Sequence, residues 1–238
     1  MGESTEFLHV GAMTLPWRKK NASDGCTEMS LDLWSRQVTA LTGPSGVGKT
    51  TVVRVLGGEL ALRAREVRLF GADVTRMPPR RSADLLRREV GTITQESALV
   101  ESLDALSNVA LPLRLRGRDD WRTRSEAAME TLGVGHLARR RPADASGGER
   151  QRIAVARMLA WRPRIVLADE PTSALDQHSA TAVACALRSL SDEGSAVLVV
   201  THDPGLAASC DRRVAMRWPP SSSQDDSPAR QTTADARR

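Results

Sequence analysis

The residues best suited to chemistry in this chain of 238 are Gly43-Pro44-Ser45-Gly46-Val47-Gly48-Lys49-Thr50. They fit the pattern G-x-x-x-x-G-K-[ST]. Glycines at these spacings let the backbone turn so that its N–H groups point inward at phosphate oxygens, and a helix that follows adds its positive N-terminal end. Lys49 then reaches the β and γ phosphates of a nucleoside triphosphate, and the Thr50 hydroxyl binds Mg²⁺. The phosphate-contacting stretch is taken as Gly43 to Thr51. A glycine-rich turn without a ligand is the competing reading, and the strand expected before the loop and the helix expected after it weigh against that. The lysine itself is informative. The chain has only Lys19, Lys20 and Lys49 among many arginines. A compact ammonium fits inside such a loop, whereas a planar guanidinium does not.

A second group stands at Arg164-Ile165-Val166-Leu167-Ala168-Asp169-Glu170. Four apolar residues form a buried strand that ends on two carboxylates, and ligands of open α/β sheets sit at that end. Asp169 is expected to hold Mg²⁺, directly or through water. Glu170 is expected to orient and deprotonate an attacking water. Alone, an acid pair after a strand reads as a helix cap; the phosphate loop changes that reading.

These groups need a scaffold, and the apolar pattern supplies one. Residues 5–15 and 27–33 read as strands, separated by a polar, turn-rich 18–26. A strand at 37–42 feeds the loop, and a helix from about Lys49 stops at Gly57-Gly58. Residues 66–70 and 90–94 are short strand candidates. From 102 to 141 the pattern is mostly helical, with Trp121, Ala128, Met129 and Leu132 on one face. A helix starts near Gly147-Gly148. Asp176 caps another, whose apolar face is Ala180, Val183, Ala184, Leu187 and Leu190. Ala196–Val200 is a further buried strand that ends at Thr201-His202. Strands alternating with helices imply an α/β fold with a parallel sheet.

Composition sets the outer limits. Hydrophobic residues are 40% and charged residues 26%, as in ordinary globular chains, and the length suits one large α/β domain. Aromatics are 3% and Tyr is absent, so the core is mainly Leu, Val, Ala and Ile. The net charge of +5 is spread along an Arg-rich surface; solvation is its plain reading, and attraction to acidic lipid or nucleic acid is the lesser one. Cys26, Cys185 and Cys210 have no metal-ligand spacing and read as free thiols of a reducing compartment. No N-terminal signal pattern is present, and the longest apolar runs fall short of the roughly 18 residues of a membrane span. The expectation is a cytoplasmic protein that reaches a membrane through a partner. From Trp218 onward the sequence is polar, and 219–238 is expected to be a disordered tail.

A third group gives a resemblance. Ala145-Ser146-Gly147-Gly148-Glu149-Arg150-Gln151 resembles the signature motif of the ABC ATPases, usually Leu-Ser-Gly-Gly-Gln. Asp169-Glu170-Pro171-Thr172-Ser173-Ala174-Leu175-Asp176 resembles that family's acidic strand end and dimer loop. Gln95 and Thr201-His202-Asp203 match its Gln and His switch positions. The motifs fall in the family's order over 1–218. The resemblance implies a P-loop NTPase (RecA-like) core, an N-terminal antiparallel β subdomain and an inserted helical subdomain at about 96–160. It further implies ATP and Mg²⁺ as ligands, and a head-to-tail homodimer formed on ATP binding. In that dimer Ser146, Gly147, Gly148 and Glu149 of one subunit meet the ATP held by the other, and Asp176 lies in the dimer loop. Gln95 would touch Mg²⁺, His202 the γ phosphate, and an upstream aromatic the adenine; without Tyr, Trp17 is the candidate. Its competing role is packing at a strand end.

The resemblance also implies an integral membrane permease in trans and a peripheral position at the inner face of the membrane, with ATP hydrolysis driving transport. Glu149 in place of Gln, and Asn108-Val109-Ala110-Leu111-Pro112-Leu113, resemble the lipoprotein-releasing and macrolide-export branch. Two alternatives come from other classes. One is an ABC ATPase that regulates a membrane protein without transport, which the sequence leaves open. The other is an ABC ATPase of DNA repair or translation. Repair ATPases carry a long insertion between the Gln and signature motifs, and translation factors carry two cassettes. This chain has a compact Gln95–Ser146 interval and one cassette, so no nucleic-acid partner is expected.

Overall fold

The computed structural model describes residues 4–15, 27–60 and 64–217. The expectations for Trp17, Cys26, Lys19, Lys20 and the tail from 219 fall outside them. In chain order the elements are β1 (Glu6–Leu15), β2 (Thr27–Trp34), β3 (Gln37–Thr42), α1 (Lys49–Leu56), β4 (Ala64–Leu69), β5 (Ala72–Asp73), α2 (Pro79–Glu89) and β6 (Val90–Ile93). Then come α3 (Ala105–Arg114), α4 (Trp121–Thr131), α5 (Gly147–Trp161), β7 (Ile165–Asp169), α6 (Gln177–Asp192), β8 (Ala196–Val200), α7 (Pro204–Ala208) and β9 (Arg212–Ala215). β2-β1-β4-β5 form an antiparallel sheet, and β6-β7-β8-β3-β9 form a parallel one.

The apolar runs of β7 and β8 are buried along their full length. Their side chains alternate between two cores, as the period of two in a strand requires. Val166, Ala168, Val197 and Val199 face the core shared with α3, α4, α5 and α6. Ile165, Leu167, Ala196, Leu198 and Val200 join α1 and the antiparallel sheet in the other. One sheet thus serves as the common wall of both halves. The halves are also joined by Arg164, whose guanidinium lies 4.4 Å from the Phe7 ring centroid and 3.6 Å from that of Phe70. These are the only two Phe in the chain, and each such contact is worth about 0.5–1 kcal/mol.

The helical interval is three packed helices. Ala128, Met129 and Leu132 are buried, and Trp121 is half-buried against the same cluster. Asp176 caps α6 by accepting from Ser179 N at 2.8 Å, a contact worth about 1 kcal/mol. The α6 face buries Val183, Leu187 and Leu190, with Ala186 added; Ala180 and Ala184 stay half-buried. The sequence reading passed over α2. Pro78-Pro79 looks like a turn there, but Pro at the first helical position is favourable, and α2 has no fully buried residue to mark a core face.

Candidate phosphate-binding site

β3 delivers the chain to Gly43, whose φ is +148, and the loop passes Gly46 at +77 and Gly48 at +103 before α1 begins. At Gly43 a Cβ would stand 2.6 Å from the Met216 carbonyl oxygen, so no side chain fits. Gly48 is left-handed and offers α1 no side-chain cap. The first-turn N–H groups of α1 therefore have no side-chain acceptor, the arrangement that favours an anion. Lys49 is buried, and its Nζ donates to Gly43 O at 2.9 Å and Pro44 O at 3.0 Å. Burial lowers its pKa, and the nearby Glu170 and Asp169 oppose that shift.

β7 ends on Asp169, which is 3% exposed and whose Oδ1 has no hydrogen-bond partner among the described residues. Burial raises its pKa; the Thr50 hydroxyl, Lys49 and His202 pull the other way. Glu170 follows at φ +49, a backbone region costing a non-glycine residue about 1 kcal/mol. Its N–H donates to Val200 O at 3.0 Å, which fixes the turn against the end of β8. Its Oε1 lies 3.5 Å from His202 Nε2 without forming a hydrogen bond. Burial raises the Glu170 pKa too, against the pull of His202. A strained acid with a raised pKa at a strand end is the form a general base takes.

Gln95 leaves the end of β6 and meets these groups. A cavity of about 550 Å³ is lined by Ser45, Gly46, Gly48, Lys49, Thr50, Thr51, Gln95, Asp169, Glu170 and His202, together with Ser173 and Val200. A neighbouring cavity of about 860 Å³ shares Thr50, Gln95 and Asp169 and adds Glu59, Glu96, Glu101 and Arg150. Ser173 and Arg150 were not singled out from the sequence, although both lie inside motifs that were. The orphaned Asp169 oxygen, beside Thr50 and Gln95, is a set of hard oxygen donors that fits Mg²⁺.

The segment after Gln95 is held from two helices. Ser97 and Ala98 are left-handed, at φ +64 and +39. From α5, Gln151 Oε1 accepts from Ser97 Oγ at 2.8 Å, and Arg157 donates to Ala98 O at 3.1 Å and Ser97 O at 3.4 Å. From α3, the fully buried Asn108 accepts from Val100 N at 2.7 Å and donates to the carbonyls of Val100, Leu103 and Asp104. Nothing in the spacing of Asn108 or Arg157 marked them as loop anchors.

Ser146, Gly147, Gly148 and Glu149 do not line the cavity of the phosphate loop, and neither does Asp176. Ser146 and Gly147 are exposed. Ser146 caps α5, and the two side chains form a reciprocal capping box: Ser146 N donates to Glu149 Oε2 at 2.7 Å, and Glu149 N to Ser146 Oγ at 3.3 Å. The Glu149 carboxylate is therefore already engaged, which holds its pKa down. Gly148 lies close to the loop that ends at Asp176, since a Cβ on it would stand 3.2 Å from Ala174 O. The N-termini of α1 and α5 thus do not share a cavity within a single chain.

Comparison with known proteins agrees with this geometry. A family model described as "ABC transporter" matches residues 26–173. The lipoprotein-releasing system ATP-binding protein LolD of Shewanella sp. (strain MR-7) is 40% identical over 194 residues, 80% of this chain and 84% of that protein. The protein of the same name from Shewanella denitrificans is 38% identical over 223 residues, 90% of this chain and 94% of its own. Among solved structures, the dimeric post-hydrolysis state of the ATP-binding cassette MJ0796 bound to ADP and Pi superposes with a TM-score of 0.78. It is 28% identical and covers 88% of this chain and 94% of its own.

Proposed function

The chain belongs to the ABC transporter family, and from its site we propose an ATP-hydrolysing subunit that closes into a homodimer around ATP and drives a membrane permease. The observation that carries this reading is the separation, on one chain, of the two segments taken to hold ATP: Lys49 lines the phosphate-loop cavity, and Ser146 at the start of α5 does not. A second copy, turned head to tail, brings them together. Among the described residues no helix is long and apolar enough to cross a membrane; in this reading the membrane part is a partner's. In the LolD relatives, named for a lipoprotein-releasing system, the corresponding work is lipoprotein release; that branch is the one proposed here.

The residues of the cavity take roles consistent with their surroundings. Lys49 leaves the carbonyls of Gly43 and Pro44 and takes up phosphate oxygens, while the first-turn N–H groups of α1 hold the β phosphate. Thr50, Asp169 and Gln95 would hold Mg²⁺, which would supply charge neutralisation at the phosphates. Glu170 accepts the proton of the water that attacks the γ phosphorus, as the bond to the β-phosphate oxygen breaks. Its raised pKa brings it closer to neutrality, where a base works best. His202 keeps the γ phosphate and that water aligned. Glu149 acts indirectly, by fixing Ser146 and the start of α5. Trp17 stacks on adenine, and Asp176 contacts the partner copy.

The test is ATPase activity with and without the membrane protein that co-purifies with the tagged subunit. A several-fold change on adding a multi-span protein supports the reading. Charge reversal at Glu96 or Glu101 should reduce the change and leave basal hydrolysis intact. Recovery of DNA or ribosomes alone, with stimulation by them, overturns it.

A further inference from the structure

One corner of the molecule has no part in that chemistry. The outer face of α2 carries Arg80, Arg81, Arg87 and Arg88, all exposed. At helical spacing Arg80, Arg81 and Arg88 share the side opposite Leu86, and among the described residues none of the three makes an ion pair. Only Arg87 is paired, to Asp84. The end of α3 meets this helix: Arg116 donates to Arg87 O at 2.8 Å and Arg88 O at 3.2 Å and lies 4.2 Å over the Trp161 ring. The neighbour of Arg116 is Leu115, which at 77% is far more exposed than Val100, the other large apolar side chain exposed among the described residues. Arg114 stands beside it, also exposed. The nearby acids are largely committed. Asp120 pairs with Arg118 and Arg124, and Glu89 is half-buried; Asp119 remains open.

We propose that the exposed arginines of α2, Arg80, Arg81, Arg87 and Arg88, together with Arg114 and Leu115 at the end of α3 that Arg116 ties to that helix, form a docking surface for the anionic headgroups of a lipid bilayer, with Leu115 entering the interface. The charge complementarity is direct, and each cation near an anionic leaflet contributes about 1 kcal/mol. A bare leucine beside exposed cations matches a layer that is anionic outside and apolar beneath; a nucleic acid groove or an acidic peptide uses the charge but leaves the leucine in water. The chain also offers an internal contrast. Arg139, Arg140 and Arg141 form an equally exposed basic run with no exposed large apolar side chain next to it.

The proposal rests on the reading of a membrane-bound subunit only for supplying the bilayer, and the test contains no permease, so the two fail separately. The full-length protein is sedimented with vesicles of phosphatidylcholine alone and with phosphatidylglycerol added. Binding is expected only to the anionic vesicles, and to weaken as salt is raised. Replacing Arg80, Arg81 and Arg88 together by Gln should weaken it about 100-fold, and Leu115→Ser several-fold. The triple Gln variant at Arg139, Arg140 and Arg141 changes net charge equally and should bind almost as the parent does. Equal binding to neutral vesicles, equal loss in the two triple variants, or duplex DNA held as tightly as anionic vesicles through the same arginines would each overturn the proposal.

Discussion

Asp169 lies almost wholly out of water with one oxygen unpartnered, and replacing it by Asn should make the nucleotide-free protein more stable. Burial is the largest influence on its pKa and raises it, so the folded chain holds the proton more tightly than the unfolded chain does. The charged form is thus a net cost, and a neutral side chain of the same shape removes it. An unsatisfied buried polar group costs about 1–3 kcal/mol. Part of that returns as lost attraction to Lys49, so a gain of about 1–2 kcal/mol is expected. In a domain of this size each kcal/mol moves Tm by about 2–4 °C.

The sign with pH follows from the same linkage. At low pH both states of the parent are protonated and the two proteins should melt together. As pH rises from the ordinary carboxylate range, about 4, through the raised folded value, the parent loses stability and the variant does not. The gap should open there and then stay constant. Differential scanning calorimetry over a pH series measures it. In MgATP the order should invert, because the cation turns the same carboxylate into a ligand and the parent alone gains from it. An Asn variant that melts below the parent at neutral pH without nucleotide refutes the assignment of Asp169 as a charge held ready for a cation.

Other consequences can be tested on purified protein. Asn108→Ala removes one acceptor and three donor contacts to the 100–104 loop and should cost about 2–4 kcal/mol in urea unfolding. Lys49→Ala should abolish tight ATP binding by calorimetry while changing the melting temperature little, since the burial that lowers its pKa offsets its bonds to the Gly43 and Pro44 carbonyls. Trp17→Ala should weaken nucleotide binding by about 1–3 kcal/mol, the scale of base–aromatic stacking, and affect ATP and GTP alike; normal binding with earlier melting would mean that Trp17 only packs.

The legible parts of this chain are those where residue type and backbone requirement coincide. Gly43 and Gly48 are legible because no other residue takes their backbone path. Ile165 to Ala168 are legible because a strand buried on both faces must be apolar throughout. Asp176 stood out as a helix cap, and it caps; the helix expected near Gly147-Gly148 starts there. What escaped depends on tertiary contacts. Asn108 and Arg157 serve backbone carbonyls of a loop whose path is not written in any local pattern. Glu149 read as a ligand from its place in the motif, but its first partner is its own helix N-terminus. α2 was invisible because its stabilising face is only half-buried and its exposed residues are mostly charged, Arg80, Arg81, Asp84, Arg87 and Arg88.

The central claim is that two copies of this chain share each ATP. It is tested most directly by the mass of the Glu170→Gln protein in solution, measured by light scattering. That variant keeps the phosphate loop and lacks the base, so ATP is bound and not consumed. Without nucleotide it should run as a monomer of 25.8 kDa, and in MgATP at twice that mass. Adding Ser146→Arg, which places a bulky cation at the exposed N-terminus of α5, should return it to the monomer while ATP binding persists. A Glu170→Gln protein that stays monomeric in saturating MgATP, or a double variant that still dimerises, contradicts the account.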